Sequence, residues 1–235
     1  MTDVLGGAGA VGNDFALGSA LLVSLALLHS FWAEAHIHHI DAMQTWYFAG
    51  LLVGALLPYI LSAITLKAVG RAANEMVEEC NHQFERIVRS RTLEPDYDRC
   101  IKISTEASLR NILPICLLAM GLPVFIGIAF GKVCTVGLLQ GALISGVLMA
   151  MSMINTGGAW DNAKKHIYSS GAKDSAHYRN AVIADVVGDP LKDVSGPSLN
   201  VLVNLSAITC LVFGDMMSGW SNHEGGPFWL SPSEM

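Results

Sequence analysis

The sequence predicts an all-α membrane protein, a polytopic bundle of about five transmembrane helices. Hydrophobic residues make up 52% of the 235 residues and charged residues only 14%, a more apolar composition than that of an ordinary soluble domain. The charged residues are also grouped, whereas on a soluble surface they would be dispersed. Five apolar stretches are each long enough to cross about 30 Å of hydrocarbon at about 1.5 Å per residue.

Two long gaps separate the predicted spans, one after the second span and one after the fourth, and the other connections are short. They cover residues 15–33, 46–66, 111–131, 133–159 and 194–213. The second helix is expected to continue past the membrane, because residues 72–91 keep a helical spacing of apolar residues among acids and bases. Pro95 ends that pattern, and prolines in the third span predict kinks. Little chain remains for a soluble domain, so residues 1–235 are expected to form a single membrane domain.

Small residues recur on the second and fourth spans. The second span carries Gly50 and Gly54, and the fourth carries Gly137, Gly141 and Gly146. Small side chains let membrane helices approach closely. This pattern favours a compact bundle over a set of separate anchors.

The placement of lysine and arginine predicts the orientation. Eight of the 14 basic residues lie within residues 67–110 and five lie within residues 164–192. By the positive-inside rule, two loops covering about 67–110 and 161–192 face the cytoplasm. The turn near Lys132 and the tail after residue 219 are then expected on the non-cytoplasmic side. The net charge of −6 gives no reason to expect nucleic acid as a partner, and membrane lipid is the expected surrounding.

The cysteines show no CxxC spacing, and at least three of them fall within predicted spans. All five are expected to be small core residues and not a zinc site or a disulfide framework. They are Cys80, Cys100, Cys116, Cys134 and Cys210.

Two charged clusters lie beside the last two spans. The first comprises Asp161, Lys164 and Lys165, and the second Asp185, Asp189, Lys192 and Asp193. A charge at the bilayer centre costs roughly 2.5 to 3.5 kcal/mol, so such residues usually pair and often serve a function. At about 100° per residue, each cluster is expected to occupy one face of a helix.

Carboxylates and lysines in this arrangement suggest phosphate chemistry. Carboxylates suit Mg²⁺, which is commonly bound through a few carboxylates together with substrate phosphates, and lysines supply point charges for phosphate oxygens. The alternative is a salt-bridge network that neutralises itself, Asp161 with Lys165 and Asp189 with Lys192. Gly188 and Pro190 on either side of Asp189 are expected to loosen or bend the helix there.

Longer motifs around the two clusters resemble a known family. Residues 155–165 read Asn-Thr-Gly-Gly-Ala-Trp-Asp-Asn-Ala-Lys-Lys, and residues 188–200 read Gly-Asp-Pro-Leu-Lys-Asp-Val-Ser-Gly-Pro-Ser-Leu-Asn. Both resemble the membrane-integral, ion-translocating inorganic pyrophosphatases. Shorter segments, at residues 57–59, 76–79, 95–97 and 103–105, also resemble the family and occur in the same order as in the family. The resemblance covers nearly the whole chain.

The resemblance implies an all-helical, homodimeric pump that binds magnesium pyrophosphate and couples its hydrolysis to the movement of H⁺ or Na⁺. The family has about sixteen spans, so five spans are expected to be roughly its C-terminal third. The family's water-activating carboxylates lie outside that third, and no catalytic residue is assigned within this chain. Two alternatives stay open: a truncated, non-catalytic subunit, and a channel or carrier segment without hydrolysis.

Individual roles follow from the same resemblance. Asp161, Asp185 and Asp189 match metal-binding aspartates, and Lys164 and Lys192 match lysines that hold the substrate.

Asp193 and Lys165 stand beside those positions and are expected to add to metal and substrate binding. Asn204 stands where the family has a lysine of its ion gate, which predicts altered coupling of ion movement. The family's asparagine-threonine-threonine motif is not recognisable, so potassium dependence stays open.

Overall fold

A computed structural model of the protein describes residues 2–90 and 94–220, and no strand occurs within those two ranges. Within them lie eight α-helices: α1 (Thr2–Glu34), α2 (Thr45–Ser90), α3 (Tyr97–Cys116), α4 (Leu122–Phe130), α5 (Lys132–Ser169), α6 (Ala176–Pro190), α7 (Gly196–Val212) and α8 (Gly214–Trp220). Five helical segments are long and apolar enough to cross a membrane. The predicted polytopic helical bundle is confirmed.

Two π-helical turns interrupt the α-helices, and both lie next to prolines. Leu117–Gly121 joins α3 to α4, and Leu191–Ser195 joins α6 to α7. Proline has no backbone N–H to continue the α-helical ladder, and single π turns inside helices are a known response to such interruptions. The kinks predicted for the third span, and the loosening predicted around Pro190, take this form.

α2 and α5 are much longer than a membrane is thick. With 46 and 38 residues, they extend over about 69 and 57 Å at about 1.5 Å per residue, against about 30 Å of hydrocarbon. The two predicted cytoplasmic segments, about 67–110 and 161–192, are therefore largely helical, and the predicted helical extension of the second span is present. Among the described residues of these segments, only 94–96 and 170–175 connect helices.

One end of the bundle gathers three segments around Lys132. Its Nζ donates to the carbonyl oxygen of Ala35 at 2.8 Å and to Ser218 Oγ at 3.3 Å. The α1–α2 connection, the start of α5 and α8 therefore lie at one end, and the charged clusters lie towards the other. Which end faces the cytoplasm stays a prediction. The tail after residue 219 falls almost entirely in residues 221–235, outside the described residues.

α5 occupies the centre of the bundle, in contact with α1, α2, α4, α6 and α7. In its most apolar stretch 67% of the residues are buried, the highest share among the five spans. The principal core joins α5 to buried side chains of α1, α2 and α7. These core residues include Leu17, Leu57, Leu61, Leu138, Ala142, Ile154, Leu199 and Leu202.

The small residues of α2 and α5 face one another, and this pairing gives the close helix approach that the sequence predicts. A Cβ atom added to Gly54 would overlap the backbone of Leu138, and one added to Gly141 would overlap the carbonyl oxygen of Leu51. Gly50 and Gly137 are equally close to opposing backbone atoms. The two helices are therefore in direct backbone contact over two turns.

The cysteines divide into two groups. Cys134 and Cys210 are buried in the bundle, which confirms their predicted core role. Cys80 is exposed, and Cys100 and Cys116 are partly buried, so the prediction is wrong for Cys80 and holds only in part for the other two. Cys80 and Cys100 lie where α2 projects beyond the core and packs on α3.

Candidate functional site

The two predicted charged clusters meet where α5 packs against α6 and the second π turn. Asp161, Lys164 and Lys165 lie on α5, near its end. The facing groups lie on α6 and on the π turn that follows it. They are Asp185, Asp189, Lys192 and Asp193. The sequence predicts two separate clusters, and the structure joins them into one group of four carboxylates and three ammonium groups.

Asp161 is the centre of this group, since its carboxylate contacts all three lysines. Lys165 Nζ donates to Asp161 Oδ2 at 2.8 Å and Lys192 Nζ donates to the same oxygen at 3.2 Å. Lys164 Nζ lies 3.5 Å from Asp161 Oδ1. The contact with Lys192 crosses from α5 to the π turn. Asp161 therefore links the two helices as well as the charges.

Asp185 is the buried acid of the site. Its side chain is 5% exposed, and its Oδ2 accepts a hydrogen bond from Lys164 Nζ. Its Oδ1 is buried and has no hydrogen-bond partner within the described part of the chain. A buried carboxylate oxygen without a donor is costly, so this oxygen keeps unused capacity to accept a hydrogen bond or a cation.

Asp189 and Asp193 lie at the open side of the site. Their side chains are 46% and 57% exposed, and they approach Lys192 Nζ at 3.2 and 3.8 Å. A regular helix would put both on the face of Asp185, as the sequence-based geometry assumes. The π turn at Leu191–Ser195 replaces regular α-helix between Asp189 and Asp193, and both carboxylates still lie beside Lys192. The single shared face stays a prediction.

The close approach of α5 and α6 depends on two glycines. A Cβ atom added to Gly157 would overlap the carbonyl oxygen of Gly188 and the Cβ of Lys192, and one added to Gly188 would lie 3.1 Å from the Cα of Gly157. Gly157 lies one turn before Asp161. The sequence analysis missed its role, and the only signal was a Gly-Gly pair just before a charged cluster.

A buried serine pair fixes the π turn from its other side. Ser195 Oγ donates to Ser62 Oγ at 2.8 Å, and both side chains are buried. Ser62 belongs to α2, so the turn that carries Lys192 is held by α2 as well as by α5. Neither serine was singled out from the sequence, because their 133-residue separation leaves no local pattern.

The donor set fits a magnesium ion bound together with substrate, and not a cage made by the protein alone. No group of three His, Cys, Asp or Glu side chains placed to hold a metal occurs among the described residues. Mg²⁺ is usually bound through one or two carboxylates, with phosphate oxygens and water completing its shell. Asp161 and the free oxygen of Asp185 are carboxylates of this kind. The assignment of metal to these aspartates stays a prediction.

The ion pairs of the alternative interpretation are present as well. Lys165 with Asp161, and Lys192 with Asp189, form the network that a purely structural role would require. These contacts do not decide between the two interpretations, because carboxylates and lysines of a substrate site also pair with one another.

Asn204 lies away from this group, between α1 and α7. Its Oδ1 accepts a hydrogen bond from Ser24 Oγ at 2.6 Å. Both residues are uncharged, so the contact joins two spans through a neutral polar pair.

A cavity of about 460 Å³ lies between α2, α3 and α7, and none of the seven charged residues lines it. Its walls are mostly small and apolar, with hydroxyl groups from Thr65, Ser104 and Ser198. The candidate site is therefore the charged contact of α5 with α6, and not this cavity.

Comparisons with known proteins agree with these motifs. Residues 1–213 match the family described as inorganic H⁺ pyrophosphatase. A putative K⁺-stimulated pyrophosphate-energized sodium pump of Clostridium tetani is 44% identical over 212 residues, which are 88% of this chain and 32% of that protein. A K⁺-insensitive pyrophosphate-energized proton pump of Methanosarcina mazei is 38% identical over 216 residues, 89% of this chain and 32% of its own length.

A plant relative extends the similarity. The pyrophosphate-energized membrane proton pump 3 of Arabidopsis thaliana is 36% identical over 238 residues, 90% of this chain and 30% of its own length. The chain thus spans about a third of the length of the curated relatives it matches. With a family match over most of its length, the chain belongs to the inorganic H⁺ pyrophosphatase family.

Proposed function

We propose that this chain supplies two walls of a magnesium-pyrophosphate site in a protein that couples pyrophosphate hydrolysis to the movement of H⁺ or Na⁺. The observation that carries the proposal is the meeting of three lysines and four aspartates at the contact of α5 with α6. The names of the relatives support the substrate, and they include both sodium and proton pumps. The proposal includes a cytoplasm-facing site and a homodimer.

The existing ion pairs predict how metal and substrate binding are linked. Lys192 Nζ lies within 3.8 Å of three carboxylates, so in this state its charge is already neutralised. If Mg²⁺ takes over carboxylates of Asp161 and Asp185, Lys192 and Lys164 become free to hold phosphate oxygens. Bound Mg²⁺ supplies Lewis-acid polarisation of the phosphate. The carboxylates would thus exchange lysine for Mg²⁺, and the lysines would exchange carboxylate for phosphate. Pyrophosphate binding should therefore require Mg²⁺.

A binding measurement tests this directly. Pyrophosphate is titrated by calorimetry into the purified protein that contains this chain, in detergent micelles, with and without Mg²⁺. We expect binding only with Mg²⁺, and at least a tenfold loss of affinity in Lys192→Ala, corresponding to about 1.4 kcal/mol. Lys102→Ala is the matched control, because Lys102 is exposed and pairs with Glu106 on its own helix. Equal binding by both variants, or binding that ignores Mg²⁺, would contradict the proposal.

Hydrolysis and pumping need a second assay. In vesicles that hydrolyse pyrophosphate and contain this chain, Asp189→Asn is expected to abolish Mg²⁺-dependent phosphate release. Near-normal turnover would overturn the assignment of Asp189. Vesicles in which the chain binds pyrophosphate but never releases phosphate would support the non-catalytic subunit.

Position 204 tests the coupling half of the proposal. The neutral pair of Asn204 with Ser24 stands where the resemblance places a gate lysine. In the same vesicles, Asn204→Lys is expected to raise the number of ions moved per pyrophosphate hydrolysed. An unchanged ratio would show that position 204 does not act in coupling.

A further inference from the structure

Two thiols face each other at the far end of the α2–α3 hairpin. Cys80 is exposed on α2 and Cys100 is partly buried on α3, and the side chain of Cys100 lies beside that of Cys80. The two residues are 20 apart in sequence and come from antiparallel helices.

The register that brings the thiols together is fixed by neighbouring contacts. Gln83 forms two hydrogen bonds with the backbone of Asp96: it accepts from the N–H at 2.8 Å and donates to the carbonyl oxygen at 3.1 Å. Arg99 lies 3.6 Å from Glu79, and these two residues directly precede Cys100 and Cys80. The thiol pair therefore sits inside a set of cross-helix contacts and is not a chance encounter of mobile side chains.

We propose that Cys80 and Cys100 form a reversible intramolecular disulfide that cross-links α2 to α3. A disulfide needs Cα atoms within about 4.4 to 6.8 Å and sulfur atoms that can meet. The contacts of Gln83 with Asp96 and of Glu79 with Arg99 place residues 80 and 100 opposite one another on two packed helices. A cross-link in a compartment that keeps thiols reduced would be transient and redox-sensing. The pair is independent of the pyrophosphate site, so the proposal does not rest on the proposed function.

The oxidant is a small-molecule disulfide, such as oxidised glutathione. The thiolate of Cys80, the more exposed residue, attacks one sulfur atom and forms a mixed disulfide while one thiol of the oxidant is released. The thiolate of Cys100 then attacks the Cys80 sulfur, the protein disulfide forms and the second thiol leaves. Two protein thiols are oxidised and one disulfide is reduced to two thiols, so electrons and protons balance.

Peptide mapping tests the proposal on the purified chain in detergent micelles. The protein is exposed to oxidised glutathione, its remaining thiols are alkylated, and it is digested with trypsin without reduction. Cleavage at the arginines and lysines around the two cysteines separates residues 72–86 from residues 100–102. We expect these two peptides to remain linked, and the link to disappear after reduction.

Serine variants identify the partners. In Cys100→Ser the second step is blocked, so the mixed disulfide on Cys80 should accumulate at least about tenfold above its level in the unchanged chain. Cys116→Ser is the matched control, because Cys116 lies on the same helix α3 and is partly buried, and it should leave the link unchanged. Circular dichroism checks that each variant remains helical. The absence of the linked pair, or an equal mixed disulfide in Cys100→Ser and the unchanged chain, would overturn the proposal.

Discussion

α5 makes two close contacts of the same kind with different chemistry. Near its start, Gly137 and Gly141 meet the backbone of α2, and near its end Gly157 meets the backbone of α6. Both contacts depend on missing side chains. The first is surrounded by apolar residues of the core, whereas the second lies one turn from Asp161 and its lysines.

The difference separates two uses of glycine. In a membrane there is little hydrophobic drive between helices, so close packing itself stabilises the contact with α2. At the contact with α6, the same closeness sets the distance between charges on two helices. An added methyl group at the contact with α2 should therefore mainly lower the stability of the protein. At the contact with α6 it should mainly change the distances between the charged groups of the site.

The largest effect is expected for Gly54→Ala. Its new Cβ would overlap backbone atoms of Leu138, which cannot rotate away, so the loss should be about 3 kcal/mol, the upper end for overpacking. Unfolding in mixed detergent micelles measures it. Gly70→Ala on the same helix is the control, since nothing lies within 4 Å of its Cβ. Its effect should lie between zero and a gain of about 1 kcal/mol. Equal stability of the two variants would disprove the backbone contact.

Gly157→Ala should destabilise the protein less than Gly54→Ala does, but it should weaken pyrophosphate binding more. The methyl group would meet the carbonyl oxygen of Gly188 and the side chain of Lys192, and we expect about 2 kcal/mol of destabilisation. Because α6 must move away, Lys192 should lose Asp161, and Mg²⁺-dependent pyrophosphate binding should weaken. Gly158→Ala is the adjacent control with open space around its Cβ. If Gly157→Ala binds pyrophosphate as Gly158→Ala does, the contact does not position the site.

Most of the fold could be predicted from the sequence, because the membrane makes hydropathy and helix length strong signals. The five spans, the extension of α2 and the small-residue contact with α5 follow from residues near one another in sequence. The seven charged residues of the site were also identifiable, since charge beside apolar spans is costly.

What could not be predicted depends on partners distant in sequence. The π turn at Leu191–Ser195 lies between Asp189 and Asp193, and the regular helical spacing gives no sign of it. Gly157 gains its role only from Gly188, and Cys80 gains its role only from Cys100. Each requires the packing of two helices to be known first.

Asp185→Asn tests the buried side of the charged contact. The change removes the negative charge that Lys164 contacts, and we expect a loss of about 1.5 kcal/mol, the lower end for a hydrogen bond to a charged group. The lower end applies because Asp161 still lies 3.5 Å from Lys164. Unfolding in mixed micelles again measures it. An unchanged or increased stability would mean that burying Asp185 costs as much as its ion pair contributes.

The smallest effect is expected for an ion pair outside the contact. Lys102 and Glu106 lie 3.7 Å apart on α3 with both side chains more than 60% exposed, so Glu106→Gln should cost about 0.3 kcal/mol. Added salt distinguishes this exposed pair from the buried pair of Lys164 with Asp185, because it weakens exposed pairs more. At about 1 M salt the Debye length falls to about 3 Å, and the effect of Glu106→Gln should vanish. The effect of Asp185→Asn should persist, because salt screens a pair much less when one side chain is only 5% exposed. Equal salt sensitivity of the two variants would mean that Asp185 is solvated, and the charged contact would then differ from the apolar one in burial as well as in composition.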